Sequence, residues 1–125
     1  MSDDSKARRK ALIDEYKRTP KTVGVYVIRN TRNGKCYVGA SRDVRARLNR
    51  HQRDLKANGE RVLALQEDWN RYGGDAFEFE TVDTLEPLDR QDYDPGADLE
   101  VLEQLWLEKL EPYDARGYNR RRRGD

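Results

Sequence analysis

The sequence predicts an α/β fold: a small antiparallel sheet of three strands, at about 24–29, 35–39 and 77–82, flanked by helices. Three observations carry this. Gly24, Val25, Tyr26, Val27 and Ile28 form a β-branched and aromatic run, Asn33-Gly34 tolerates φ > 0, and Cys36, Tyr37 and Val38 resume the strand pattern, so 24–39 reads as a β-hairpin. Residues 76–82 alternate apolar and polar, the period of a half-buried strand, with Phe77, Phe79 and Thr81 on one face. Between and after these strands, apolar residues recur at helical spacing.

The hairpin sets two phenols side by side. Side chains alternate faces along a strand, and opposed residues joined by an even-numbered loop have numbers of opposite parity. Tyr26 and Tyr37 therefore point to the same face. Taken alone, the pair reads first as core aromatics. Gly24 opens the first strand and Gly39 closes the second, each a place where another group can approach the backbone.

The 125 residues suit one domain with a modest core. Charged residues make up 39% and hydrophobic ones 35%, so that core is drawn from well-placed leucines and aromatics. No stretch approaches the roughly 20 apolar residues of a membrane span, and the N-terminus has no apolar run for a signal peptide. Cys36 is the single cysteine and forms no internal disulfide. A cytoplasmic protein is expected. Net charge is only +1, but charge is segregated. Arg42, Arg45, Arg47, Arg50 and Arg53 stand against Asp43 alone, residues 83–100 hold seven acids and one base, and the tail from Arg116 is again arginine-rich. Such segregation builds either one basic surface or a set of separately solvated faces.

In chain order, residues 4–17 carry Ala7, Ala11, Leu12 and Tyr16 among charges, a helical extension that Thr19-Pro20 stops. After the hairpin, Ser41 caps a helix running to about Ala57, with Asp43 in its first turn and Asn58-Gly59 at its end. Val44, Leu48 and Leu55 form its apolar stripe, with His51 inside it and Arg47 on its edge. Those two should face the sheet, and Arg42, Arg45, Arg50 and Arg53 should face water. A snorkelling arginine and a half-buried imidazole are the plain structural alternatives. Residues 60–72 form a second helix burying Val62, Leu65, Trp69 and Tyr72, closed by Gly73-Gly74. Residues 85–96, with two prolines, read as an acidic loop. Asp98 caps a third helix to about Leu110, with Leu99, Leu102, Trp106 and Leu110 as its stripe. Glu103 falls inside that stripe beside Leu99, Leu107 and Leu110. A carboxylate occupies such a position when it is paired or bound to metal.

The triplets Gly24-Val25-Tyr26 and Tyr37-Val38-Gly39 resemble the paired signature of the GIY-YIG nucleases, with valine for isoleucine in both. The resemblance covers nearly all the chain after Thr22, which implies an N-terminal extension over 1–21, a nuclease domain over 22–119 and a basic tail over 120–125. Residues 65–73 and the ending Gly117-Tyr118-Asn119 are similar to the homing-endonuclease branch. The family places an arginine on the helix after the second triplet, a metal-binding glutamate on a later helix and an asparagine near the end. Arg47, Glu103 and Asn119 match those places.

The resemblance implies a metal-dependent endonuclease acting on DNA. Glu103 would bind one Mg²⁺ or Mn²⁺, and Arg47 would stabilise the transition-state oxygens. Tyr37 would be the general base, Tyr26 would orient water and phosphate, and Asn119 would fix the geometry. His51, one turn beyond Arg47 as in some restriction-type relatives, would relay a proton with the tyrosine. Where several homing-type relatives carry a histidine, this chain has Glu60, either a second acid near the site or an idle residue. Arg42, Arg45, Arg50, Arg53, Arg120 and Arg121 are the candidate nucleic-acid contacts. A non-catalytic nucleic-acid-binding module, and a nuclease for RNA or single strands, are the competing readings. The protein is expected as a monomer or a homodimer, with no membrane partner.

Overall fold

Asn33 and Gly34 turn the chain between the first two strands, β1 (Val23–Asn30) and β2 (Cys36–Ser41). Gly34 takes φ 79°, and the side-chain oxygens of Asn30 and Asn33 accept from the Arg32 and Lys35 amides, both at 2.9 Å. The computed structural model describes residues 21–86 and 94–121. Over them the chain continues through α1 (Val44–Lys56), α2 (Leu63–Tyr72), β3 (Phe77–Leu85) and α3 (Gly96–Leu110), with single 3-10 turns at Gly74–Ala76 and Asp114–Arg116. The helix expected over 4–17, most of the acidic loop and the end of the basic tail lie outside the described residues. Among those described, no helix is long and apolar enough to cross a membrane.

The sheet is antiparallel in the order β2-β1-β3. Its central strand is buried on both faces, which is why its sequence reads as a continuous apolar run. Tyr26 and Ile28 join Val44, Leu55, Leu65 and Phe77 in one cluster, on the side covered by α1 and α2. Val25 and Val27 join Val38 and Leu107 in a second cluster, on the side covered by α3. Helices thus pack on both faces of a three-stranded sheet.

Several boundaries differ from the sequence reading, each for a local reason. Asp43, not Ser41, caps α1: its carboxylate accepts from the Ala46 amide at 3.1 Å. Ser41 is still paired with Gly24 in the sheet, and its hydroxyl accepts from the Asp43 amide at 3.0 Å. Helix α2 starts at Leu63 rather than Glu60, because Glu60 turns inward. Helix α3 starts at Gly96, with Pro95 at the N-cap position, so Asp98 lies in its first turn. Strand β3 extends to Leu85 through a bulge opposite Val25 and Tyr26, which switches Val82 to the α3 side.

Gly24 and Gly39 both answer to close approaches. A Cβ on Gly24 would overlap the Asp83 carbonyl oxygen at the bulge, and a Cβ on Gly39 would overlap the Tyr26 ring and hydroxyl. Gly39→Ala is therefore expected to destabilise the fold by about 1–3 kcal/mol, as other overpacked sites do. A urea unfolding curve reads this, and wild-type stability in the variant would show that the Tyr26 ring yields freely.

Candidate active site

The register that pairs Tyr26 with Gly39 also pairs Ile28 with Tyr37. The two tyrosines are thus diagonal neighbours on one face, with ring centroids 6.3 Å apart, as parity requires. Above them α1 lowers His51, whose ring centroid lies 5.5 Å from that of Tyr26 and 5.7 Å from that of Tyr37. Only one of the two phenols is hydrogen-bonded to the imidazole: Tyr26 Oη lies 2.8 Å from His51 Nε2. The other ring nitrogen, Nδ1, lies 2.8 Å from Glu60 Oε2. Tyr26, His51 and Glu60 are 1%, 8% and 6% exposed. A buried hydrogen-bonded chain of phenol, imidazole and carboxylate results.

Glu60 reaches this place because the chain reverses after α1. Asn58 adopts φ 60°, the Gly59 amide donates to the Asp54 carbonyl at 2.7 Å, and the Glu60 amide donates to Gln66 Oε1 at 3.0 Å. Sequence reasoning left Glu60 as a second acid or an idle residue; its structural place is beside His51.

Both phenols are held above the ordinary tyrosine range. For Tyr26 burial is the largest cause, the neighbouring Tyr37 adds to it, Arg47 opposes, and Glu60 and Glu103 raise further. For Tyr37 burial again leads, followed by Glu60 and Glu103, with Arg47 opposing. Burial thus outweighs the Arg47 guanidinium at both phenols. A bound cation would act in Arg47's direction.

A cleft of about 140 Å³ opens beside these groups, lined by Tyr37, Arg47, Arg50, His51, Asp54, Glu60, Arg61 and Val62. Arg47 stands on its rim as an exposed side chain rather than packed against the sheet. Arg50, expected to face water, is exposed and lines the same cleft, its Nε 3.7 Å from Asp54. Arg61 lines it too and had drawn no attention in the sequence. A guanidinium is a planar fork suited to phosphate oxygens, and three line this cleft. The remaining arginines are dispersed. Arg42 pairs with Asp94 at 2.7 Å, Arg53 lies 3.7 Å from Asp54, and Arg45 and Arg120 are exposed. Arg121 lies 3.4 Å from Asp114 and over the Tyr113 ring.

Glu103 is half-buried on α3 between Leu99 and Leu107, which are buried. Its charge acts on both phenols. Among the described residues no three His, Cys, Asp or Glu side chains cluster to hold a metal ion. A single carboxylate fits a Mg²⁺-type cation, which keeps waters and takes phosphate oxygens as its other ligands. Asn119 uses its whole carboxamide on one residue of the edge strand. Its Oδ1 accepts from the Val38 amide and its Nδ2 donates to the Val38 carbonyl, both at 2.8 Å. It thus holds β2 between Tyr37 and Gly39.

Comparison with known proteins bears on the family and the fold. The model of the GIY-YIG catalytic domain matches residues 22–119. Intron-associated endonuclease 1 of Enterobacteria phage T4 is 31% identical over 96 residues, covering 77% of this chain and 36% of the phage protein. A probable intron-encoded endonuclease 1 of Neurospora crassa is 39% identical over 56 residues, 45% of this chain and 17% of the fungal protein. The chain therefore spans about a third or less of these relatives. The solved catalytic domain of the homing endonuclease I-TevI superposes with a TM-score of 0.61 at 30% identity, covering 78% of this chain and 96% of that domain.

Asn119→Ala removes both hydrogen bonds to Val38. It is expected to cost about 1–3 kcal/mol, the penalty of stranding partly buried backbone groups. Hydrogen exchange should then accelerate at the Val38 amide, and unchanged protection there would mean that β2 is held without the carboxamide.

Proposed function

Because the chain belongs to the GIY-YIG family, we propose that it is an endonuclease hydrolysing DNA phosphodiester bonds. The carrying observation is the 2.8 Å contact of Tyr26 with His51 beside the arginine-lined cleft. Hydrolysis needs a deprotonated water, donors for the phosphorane oxygens and relief for the leaving oxyanion. Arg47, with Arg50 and Arg61, supplies fixed positive charge to phosphate oxygens as they gain charge. Glu103 would hold a divalent cation, which when bound supplies Lewis acidity and neutralises charge on the leaving oxygen; nucleases of the family generally use divalent cations.

The geometry favours exchanging the two tyrosine roles that the sequence suggested. Tyr26 is hydrogen-bonded to a proton acceptor, so it takes the proton of the attacking water while passing its own to His51 Nε2. Tyr37, half-buried and lining the cleft, orients water and phosphate. A phenol raised by burial favours this coupled transfer over a standing phenolate. Asn119 acts through β2.

Tyr26→Phe is expected to lower kcat by about 10²–10⁴-fold, the range for loss of a general base, with KM little changed. Tyr37→Phe should cost less, and a larger loss in Tyr37→Phe would return the base role to Tyr37. Arg47→Ala should reduce kcat by about 10²–10³-fold, the scale of removing one donor to a developing oxyanion. Glu103→Gln should abolish both metal-dependent cleavage and Mn²⁺ binding followed by calorimetry. Labelled duplex, branched and single-stranded DNA and RNA, each with Mg²⁺, Mn²⁺ or chelator, test the activity itself. Failure to cleave any of them would overturn the nuclease reading.

A further inference from the structure

Glu60 is held from several directions at once. Its Oε2 meets His51 Nδ1 at 2.8 Å and its Oε1 accepts from the Val62 amide at 3.3 Å. Its own amide donates to Gln66 Oε1, and Gln66, itself buried, is tied through Nε2 to the Leu55 carbonyl at 3.1 Å and to Asn70 at 3.0 Å. The carboxylate is therefore fixed to the end of α1, the helix that carries His51.

An ionised carboxylate only accepts hydrogen bonds, so the proton in the 2.8 Å contact sits on Nδ1. A neutral ring then presents the lone pair of Nε2 to the Tyr26 hydroxyl. The groups around that ring are the phenols of Tyr26 and Tyr37, the guanidinium groups of Arg47, Arg50 and Arg61, and the carboxylates of Asp54 and Glu60, while the Glu103 charge acts on both phenols from α3. An imidazolium on this arginine-lined wall meets like charge, and the adjacent, buried Glu60 is the group placed to offset it.

Building on the nuclease reading above, we propose that Glu60 is a positioning residue for hydrolysis, holding His51 in its Nδ1–H form and stabilising the imidazolium made during the reaction. The water O–H bond breaks as its oxygen bonds to phosphorus, and that proton passes to Tyr26 Oη. The original Tyr26 proton moves to His51 Nε2. The electron pair of the broken P–O bond leaves with the departing oxygen, which takes a proton from solvent. His51 returns its extra proton to solvent after product release.

The chain has one histidine, so ring ¹⁵N NMR reads His51 without ambiguity. In the wild-type protein, once the ring is neutral, the proton is expected on Nδ1 with Nε2 as acceptor. A neutral ring protonated on Nε2 overturns the proposal whether or not any variant folds. In kinetics, Glu60→Gln is expected to lower kcat by about 10²–10⁴-fold, the scale seen when a carboxylate orienting a catalytic imidazole is replaced by an amide, with KM and Mn²⁺ affinity little changed. Glu60→Asp should recover part of the loss. In the His51→Gln background, Glu60→Gln should cost nothing further. Losses that multiply in the double variant, or a changed Mn²⁺ affinity, overturn the role of Glu60 while leaving the nuclease reading intact. A wild-type protein inert on every nucleic acid, yet showing the Nδ1–H ring, overturns the nuclease reading, and the catalytic role of Glu60 with it.

Discussion

Tyr26 lies across Gly39 because the β1–β2 register makes them partners, and the site is built outward from that contact. With no Cβ beneath it, the ring sits flat enough on the edge strand for its hydroxyl to meet His51. The same register places Tyr37 one diagonal step away. A slip of one residue would send every side chain of β2 to the opposite face, separating the phenols and setting a side chain under Tyr26. The Asn30 and Asn33 turn fixes one end of this register, and the Asn119 clamp holds β2 at Val38.

The second face of the sheet serves the first. Helix α3 packs on Val25, Val27 and Val38, and from there the Glu103 charge acts on both tyrosines. The C-terminal segment ties the halves together. Tyr118 packs in the cluster of Tyr26, its hydroxyl donates to Asp68 at 2.7 Å and accepts from Asn30 at 3.1 Å, and its amide donates to the Cys36 carbonyl at 2.9 Å. Helix α2, the hairpin turn and the chain's end are thus joined by one phenol. A core this small gains rigidity around its site from such polar ties, since each leaves no buried group unpaired.

How much was legible from residues alone follows the reach of each interaction. The sheet and the shared face of Tyr26 and Tyr37 were readable because strand period is exactly determined by backbone geometry, and His51 because it falls within an apolar helical stripe. Arg47 was misplaced, exposed on the cleft rim rather than facing the sheet, because a helical wheel fixes a Cβ direction and not the end of a long flexible side chain. Ser41 looked like a cap by residue type, but its backbone was already engaged in β2. Glu60 was harder. Its place depends on the turn at Asn58 and Gly59 and on Gln66 from the next helix, and no local pattern encodes that convergence. The membership of a motif could be read; the partner of His51 could not.

In the proposed mechanism, the buried chain lets a site with disfavoured phenolates carry out base chemistry. A standing phenolate at Tyr26 would face burial, a second phenol and two carboxylates, with Arg47 opposing them. Passing a proton through a neutral Tyr26 avoids placing an anion there at any stage. In the proposed transfer, positive charge arises instead on His51, beside a carboxylate already in contact with the ring. Interactions that strengthen only as charge develops lower the barrier without tightening the ground state. The cost is carried by the fold, which must keep Glu60 dehydrated and in place before any substrate arrives, and the Gln66 tether to α1 supplies that restraint.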